Sequence, residues 1–203
     1  MKIICVGLNY RSHAAEMKRP VPSEPLIFLK PDSALLKKNK PFFLPDFSDD
    51  LQFEAEVVLR ISKLGKGIGQ KYASRYFDAV TVGIDFTARD LQKKLSDAGH
   101  PWELSKTFDG SAPLGHFIMK EKFSNLDETE FRLEVNGVER QKGNTSDLIF
   151  SFNEIISYVS RYYTLKTGDL IFTGTPPGVG PVKKGDNLTA WIGEECVLDF
   201  FVR

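Results

Sequence analysis

Hydrophobic positions along this chain alternate more often than they recur at helical spacing. Over residues 52–61 (Gln-Phe-Glu-Ala-Glu-Val-Val-Leu-Arg-Ile), Phe53, Ala55, Val57, Leu59 and Ile61 fall at every second position. Successive side chains of a strand point to opposite faces, so the pattern predicts one half-buried strand with a wet face. Val80 to Asp85 reads as a second, short apolar strand. Phe131, Leu133 and Val135 alternate up to Asn136-Gly137, and the chain returns through Val138, which predicts a two-residue hairpin. Leu170 to Thr173, Leu188 to Ile192 and Cys196 to Val202 complete a strand-rich C-terminal part.

Helical spacing is rarer. Phe152, Ile155, Ile156, Val159, Tyr162 and Tyr163 predict the clearest helix. Thr87 to Leu95 predicts another, with Thr87 as N-cap and Asp90 in the third position of a capping box. Tyr72 to Ala79 predicts a further, weaker helix. No repeat, low-complexity stretch or Gly/Ser-rich linker divides the chain, so one domain is expected. Long strands with few, scattered helices indicate an α+β fold that is mainly β.

Composition narrows the function classes. The 203 residues are 41% hydrophobic and include 16 phenylalanines, enough to build a core without disulfides. Lys plus Arg and Asp plus Glu both number 27, so the basic excess of a nucleic-acid binder is missing. The N-terminal Ile3-Ile4-Cys5-Val6 run is too short for a signal peptide, and no stretch approaches the ~20 apolar residues of a membrane span. Cys5 and Cys196 belong to no C-x-x-C pair and are expected to be two buried thiols in a cytoplasmic protein.

The candidate chemistry centres on carboxylates. Glu54 and Glu56 are two apart on one strand, so both project from one face, where a cation would relieve their repulsion. A solvated edge strand explains the same pair. Asp85 ends an otherwise apolar strand and adds a third oxygen donor. Such a set suits Mg²⁺ or Mn²⁺ and not zinc, because no His or Cys cluster accompanies it. Gly65-Lys66-Gly67-Ile68-Gly69 mimics a dinucleotide fingerprint, but its third Gly falls one residue early, with Gln70 in the fingerprint position. His13 and Glu16 lie three apart, neighbours on a helix, and a carboxylate beside an imidazole suits a general base. Lys106 follows the Pro101-Trp102 turn, and Thr173 to Pro181 is a turn-rich loop whose glycines allow close backbone approach to a ligand.

Taken in order, these pieces resemble the fumarylacetoacetate hydrolase family over almost the whole chain. The matching segments are Gly7-Leu8-Asn9-Tyr10 with His13 and Glu16, then Phe28-Leu29-Lys30-Pro31 and Glu54-Ala55-Glu56. Asp85-Phe86-Thr87-Ala88-Arg89-Asp90, Lys106 before Phe108-Asp109, Val135-Asn136-Gly137 and Phe172-Thr173-Gly174-Thr175-Pro176 follow. The resemblance implies a single catalytic domain over residues 1–203, folded as a mixed β-sandwich roll and usually homodimeric. It implies Mg²⁺, with Mn²⁺ possible in its place, on Glu54, Glu56 and Asp85. It gives catalytic roles to His13, Glu16 and Lys106, and substrate contacts to Arg89, Gln92, Thr175 and Lys30.

The extra N-terminal domain of the full-size fumarylacetoacetases has no counterpart here. The chain looks more like the short acylpyruvase and oxaloacetate decarboxylase branch. The implied activity is acylpyruvate hydrolysis or oxaloacetate decarboxylation on small 2-oxo acids, through a metal-stabilised pyruvate enolate. A 2-hydroxyhepta-2,4-diene-1,7-dioate isomerase-type tautomerase is the alternative, and a non-catalytic 2-oxo-acid or metal-binding module the remote one.

Overall fold

The computed structural model describes residues Met1–Arg203. Its largest sheet has six strands in the order β2 (Leu26–Lys30), β1 (Ile3–Gly7), β12 (Leu170–Phe172), β5 (Ala55–Ile61), β6 (Phe77–Ile84) and β9 (Ile118–Met119). Only β1 and β12 pair in parallel within it. A four-stranded antiparallel sheet runs β11 (Val138–Asn144), β10 (Glu130–Val135), β14 (Asn187–Ile192), β15 (Glu195–Phe201). Two small sheets join β13 (Gly180–Pro181), β4 (Leu51–Phe53) and β7 (Thr87–Ala88), and β3 (Leu35–Leu36) with β8 (Ala112–Pro113). The helices are α1 (Arg11–Glu16), α2 (Arg89–Asp97) and α3 (Phe152–Tyr162), with short 3₁₀ turns between strands. No helix is long and apolar enough to cross a membrane.

The two larger sheets meet in one apolar core. Val57, Leu59, Ile61, Val80 and Val82 from the six-stranded sheet share a cluster with Phe131, Leu133, Leu188, Ala190 and Phe200 from the four-stranded sheet. A smaller cluster, including Cys5, Phe28, Val58, Ala112 and Phe172, covers the other face of the six-stranded sheet. Both faces of β5 are therefore covered. The half-buried strand over 52–61 is corrected accordingly: β5 lies between β12 and β6, and Glu56 is as buried as its apolar neighbours. The strand is also interrupted, since Glu54 separates β4 from β5.

Other expectations hold or shift for local reasons. Asn136 and Gly137 both have positive φ, at 54° and 75°, as a two-residue hairpin requires. The helix read from Phe152 onward forms with Phe152, Ile155, Ile156 and Val159 buried, and ends at Tyr162. Ser151 and Glu154 supply a reciprocal capping box at its start. The helix expected from Thr87 instead begins at Arg89 without a side-chain cap, because Thr87 pairs with Gln52 between β7 and β4. Asp90 turns outward and accepts from Ser48 Oγ and the Asp49 N–H. The segment 72–79 divides into a 3₁₀ turn, Gln70–Arg75, and the start of β6, where Asp78 forms a two-pronged pair with Arg60 across the sheet. Only Cys5 is a buried thiol. Cys196 is exposed, and neither is bonded to the other.

Gly83 sits opposite Glu56 in the β5–β6 ladder. A Cβ there would come within 2.7 Å of the Phe172 ring and 2.9 Å of Val58 Cγ2. Gly83→Ala is expected to destabilise the fold by about 1–3 kcal/mol through overpacking. A urea-unfolding midpoint equal to wild type would show that the sheet accommodates the methyl group.

Candidate active site

Glu54, Glu56 and Asp85 converge because the β5–β6 register pairs Ala55 with Ile84 and Glu56 with Gly83. Residues just beyond each strand end then meet, and the Asp85 N–H donates to the Glu54 carbonyl at 2.8 Å. Carboxylate oxygens from the three side chains lie within 4.8 Å of one another, all buried. Lys106 Nζ donates to Glu54 Oε2 at 2.8 Å and Asp85 Oδ2 at 2.7 Å. Arg89 Nη2 holds the other Glu54 oxygen at 2.5 Å. Glu56 has no such cation, and its Oε2 accepts the Gly174 N–H at 2.7 Å. Gly174 has φ of 102°, and a Cβ there would meet Asn9 Cβ at 2.6 Å, so the position admits glycine only.

This asymmetry separates the charges. Burial, then the neighbouring Asp85 and Glu54 carboxylates, pushes the Glu56 carboxyl well above its ordinary value. Burial also acts on Glu54, but Lys106 and Arg89 outweigh it and hold that carboxyl well below the usual range. Burial disfavours the Lys106 ammonium, and Asp85 and Glu54 reverse this, so it stays charged. Lys30 Nζ pairs with Asp85 Oδ1 at 2.8 Å, so both Asp85 oxygens face an ammonium. An all-oxygen set in which one buried carboxylate, Glu56, has no cation of its own fits a hard divalent cation.

On α1, His13 Nδ1 meets Glu16 Oε2 at 2.9 Å, and Glu16 Oε1 accepts the Gly178 N–H at 3.0 Å. With Nδ1 engaged, Nε2 is the free ring nitrogen. His13, Glu54, Glu56, Asp85, Lys106 and Thr175 all line one cavity of about 1310 Å³. Arg89 and Gln92 line it too, and Arg89 donates to Gln92 Oε1 at 2.6 Å, which leaves the Gln92 amide N–H groups available. Part of the Pro-rich stretch from Arg19 to Pro25 forms its rim. Lys30 is placed differently. Its ammonium is buried against the Lys106 carbonyl and Ser111, behind Asp85 and outside the cavity lining.

The sequence reading gave no role to two supporting residues, Asn9, which appears only within the Gly7-Leu8-Asn9-Tyr10 match, and Gln141. Asn9 is fully buried and bonds the Thr173 and Phe150 backbones, fixing the loop that carries Gly174. Gln141 is 1% exposed and bonds both the Ala55 N–H and Thr175 Oγ1. Alternation along the returning hairpin strand was the available signal, since it points Gln141 inward between exposed Arg140 and Lys142.

Residues 2–199 match the family model described as fumarylacetoacetate (FAA) hydrolase C-terminal. The chain belongs to the fumarylacetoacetate hydrolase family. It is 42% identical to the mitochondrial oxaloacetate tautomerase FAHD1 of Mus musculus over 201 residues, 99% of this chain and 91% of that protein. Its fold is similar to the fumarylpyruvate hydrolase of Pseudomonas aeruginosa solved with Mn²⁺ and pyruvate, with TM-score 0.93 and 35% identity, covering 100% and 89% of the two chains. It is also similar to the 2-hydroxyhepta-2,4-diene-1,7-dioate isomerase of Mycobacterium marinum, with TM-score 0.86 and 35% identity over 99% and 73%. The mainly-β sandwich expected from the sequence is the fold this family shares.

The opposite shifts of Glu54 and Glu56 predict a pH signature. Glu56 keeps its proton in the fold at pH values where the unfolded chain has lost it, so stability of the metal-free protein falls as pH rises toward its raised value. Glu54 contributes stability above the ordinary carboxylate range, lost as pH falls through its lowered value. With EDTA present, melting temperature is expected to decline as pH rises above the ordinary range, and Glu56→Gln should flatten that decline. An unchanged slope in the variant would assign the proton elsewhere.

Proposed function

We propose that this chain is a divalent-metal-dependent enzyme acting at C3 of small 2-oxo acids, with keto–enol tautomerisation of oxaloacetate as its reaction. The observation that carries the proposal is the buried carboxylate cluster sharing one cavity with Lys106 and the Glu16-held His13. The tautomerase name of the FAHD1 relative favours proton transfer without bond cleavage.

Glu54, Glu56 and Asp85 would hold the ion, Mg²⁺ or Mn²⁺. When bound, it supplies Lewis acidity that draws electron density from the 2-oxo group and acidifies C3. His13 Nε2 removes a proton from C3 as general base, while Glu16 holds Nδ1 and steadies the imidazolium. The C3–H electron pair becomes the C2–C3 double bond, and negative charge collects on the 2-oxygen. The Lys106 ammonium stabilises that charge, and because it stays protonated it acts electrostatically. Return of a proton to the oxygen completes the enol. Arg89, Gln92 and Thr175 are assigned to the substrate carboxylates, with Arg89 shared with Glu54.

Hydrolysis of an acylpyruvate is a second reading, favoured by the same dyad and by the likeness to fumarylpyruvate hydrolase. There, His13 would activate water for attack on the distal carbonyl, and the C3–C4 bond would break to release pyruvate. Decarboxylation of oxaloacetate needs no water attack.

Enol absorbance decay of oxaloacetate, and pyruvate release from oxaloacetate and acetylpyruvate, separate these readings. Wild type with Mg²⁺ is expected to speed enol decay without matching pyruvate release, and EDTA should abolish the effect. His13→Ala and Lys106→Met should each slow it by about 10²-fold or more. Pyruvate release as fast as enol decay would move the assignment to cleavage, and no metal-dependent change in any assay would overturn it.

A further inference from the structure

The side chain of Gln141 on β11 has all its polar atoms engaged. Its Oε1 accepts the Ala55 N–H at 2.9 Å, and Ala55 lies between Glu54 and Glu56. Its Nε2 donates to Thr175 Oγ1 at 2.8 Å and to the Pro176 carbonyl at 2.9 Å. The amide cannot be turned around, because Nε2 would then face the Ala55 donor and Oε1 would face the Pro176 carbonyl. Its orientation is dictated by two backbone groups whose polarity is fixed.

A consequence follows for Thr175. A hydroxyl has one proton and two lone pairs, and one lone pair is occupied by Gln141. Within the chain the hydroxyl proton meets only the Pro176 carbonyl, at a long 3.4 Å, a weaker bond than one to an anionic oxygen in the cavity. Thr175 is 3% exposed and lines the cavity with the carboxylate cluster. The same loop also presents the Gly174 N–H to Glu56 and the Gly178 N–H to Glu16.

We infer that Gln141 is a positioning residue that commits the Thr175 hydroxyl to donate its proton to an anionic oxygen of the bound 2-oxo acid. This rests on the 2-oxo-acid reading above. Gln141 thereby joins substrate recognition to the segment that carries Glu54 and Glu56. Gln141→Glu is the informative replacement. It is isosteric: one oxygen keeps an acceptor for Ala55, and the other, held protonated by the Pro176 carbonyl to which it donates, accepts from Thr175 and withdraws the hydroxyl proton from the cavity without adding a charge.

The test is calorimetric titration of oxalate, a planar dianion with the O–C–C–O geometry of an enolised 2-oxo acid, at saturating Mg²⁺. Thr175→Val and Gln141→Glu are each expected to raise the oxalate Kd about tenfold, the effect of one hydrogen bond to a charged group. The double variant should lose no more than either single one, and Thr175→Ser should bind like wild type. If Gln141→Glu does not fold, Gln141→Met enters the same cycle. Additive losses, or unchanged oxalate affinity in the Gln141 variant, would overturn the role of Gln141 alone. Failure of the wild-type protein to bind oxalate would overturn the 2-oxo-acid reading and this inference together.

Discussion

Three carboxylates buried with their oxygens within 4.8 Å of one another create a repulsion that the surrounding structure must compensate. Isolated charges in a protein interior are expensive, and like charges at this range raise the cost further. The chain answers with Lys106 between Glu54 and Asp85, Arg89 on Glu54, and Lys30 behind Asp85. Glu56 receives only a backbone N–H. The compensation is uneven, and Glu56 is the one carboxylate of the three that no side-chain cation pairs.

Placement of these groups divides between sheet and loop. Glu54, Glu56 and Asp85 take their positions from the β5–β6 ladder, which is clamped between β12 and the core. His13 and Glu16 belong to a six-residue helix with no side-chain cap, too short to be stable alone. It is held by buried Tyr10, His13 and Ala14, and the Gly178 N–H ties Glu16 to the neighbouring loop. The loop from Thr173 to Gly178 touches three parts of the site, through Gly174 to Glu56, Thr175 to the cavity, and Gly178 to the dyad.

Much of this was legible from residue order. The alternation over 52–61 exposed the Glu54–Glu56 pair, and the apolar run ending at Asp85 exposed the third acid. Burial was not legible, because alternation with a polar face looks the same at a solvated edge and at a buried site that concentrates charge. Val58, apolar on the face of Glu56, was the hint that this face is covered. The Ile3-Ile4-Cys5-Val6 run was informative only as a short apolar stretch. In the fold it is the parallel neighbour of β12, buried on both faces, which removes any polar alternation. Thr87 carried the composition of a cap but was claimed by pairing with Gln52, a tertiary contact that local propensity does not encode. Lys30 and Gln141 depend wholly on long-range neighbours. The first is turned behind Asp85 by Ser111 and the Lys106 carbonyl, and the second is turned inward to Ala55 and Thr175.

The central claim is that Glu54, Glu56 and Asp85 together hold one divalent ion in the cavity where the 2-oxo acid binds. Electron paramagnetic resonance of free Mn²⁺ tests it directly, because the six-line signal of the aqueous ion is lost on binding. Titrating the protein into Mn²⁺ should remove the signal with a stoichiometry of about one ion per chain, as a single cluster of hard oxygen donors implies. Oxalate should then perturb the bound-ion spectrum, and Glu56→Gln should restore the free signal. Full retention of the free signal by the wild-type protein, or identical binding by Glu56→Gln, would contradict the account.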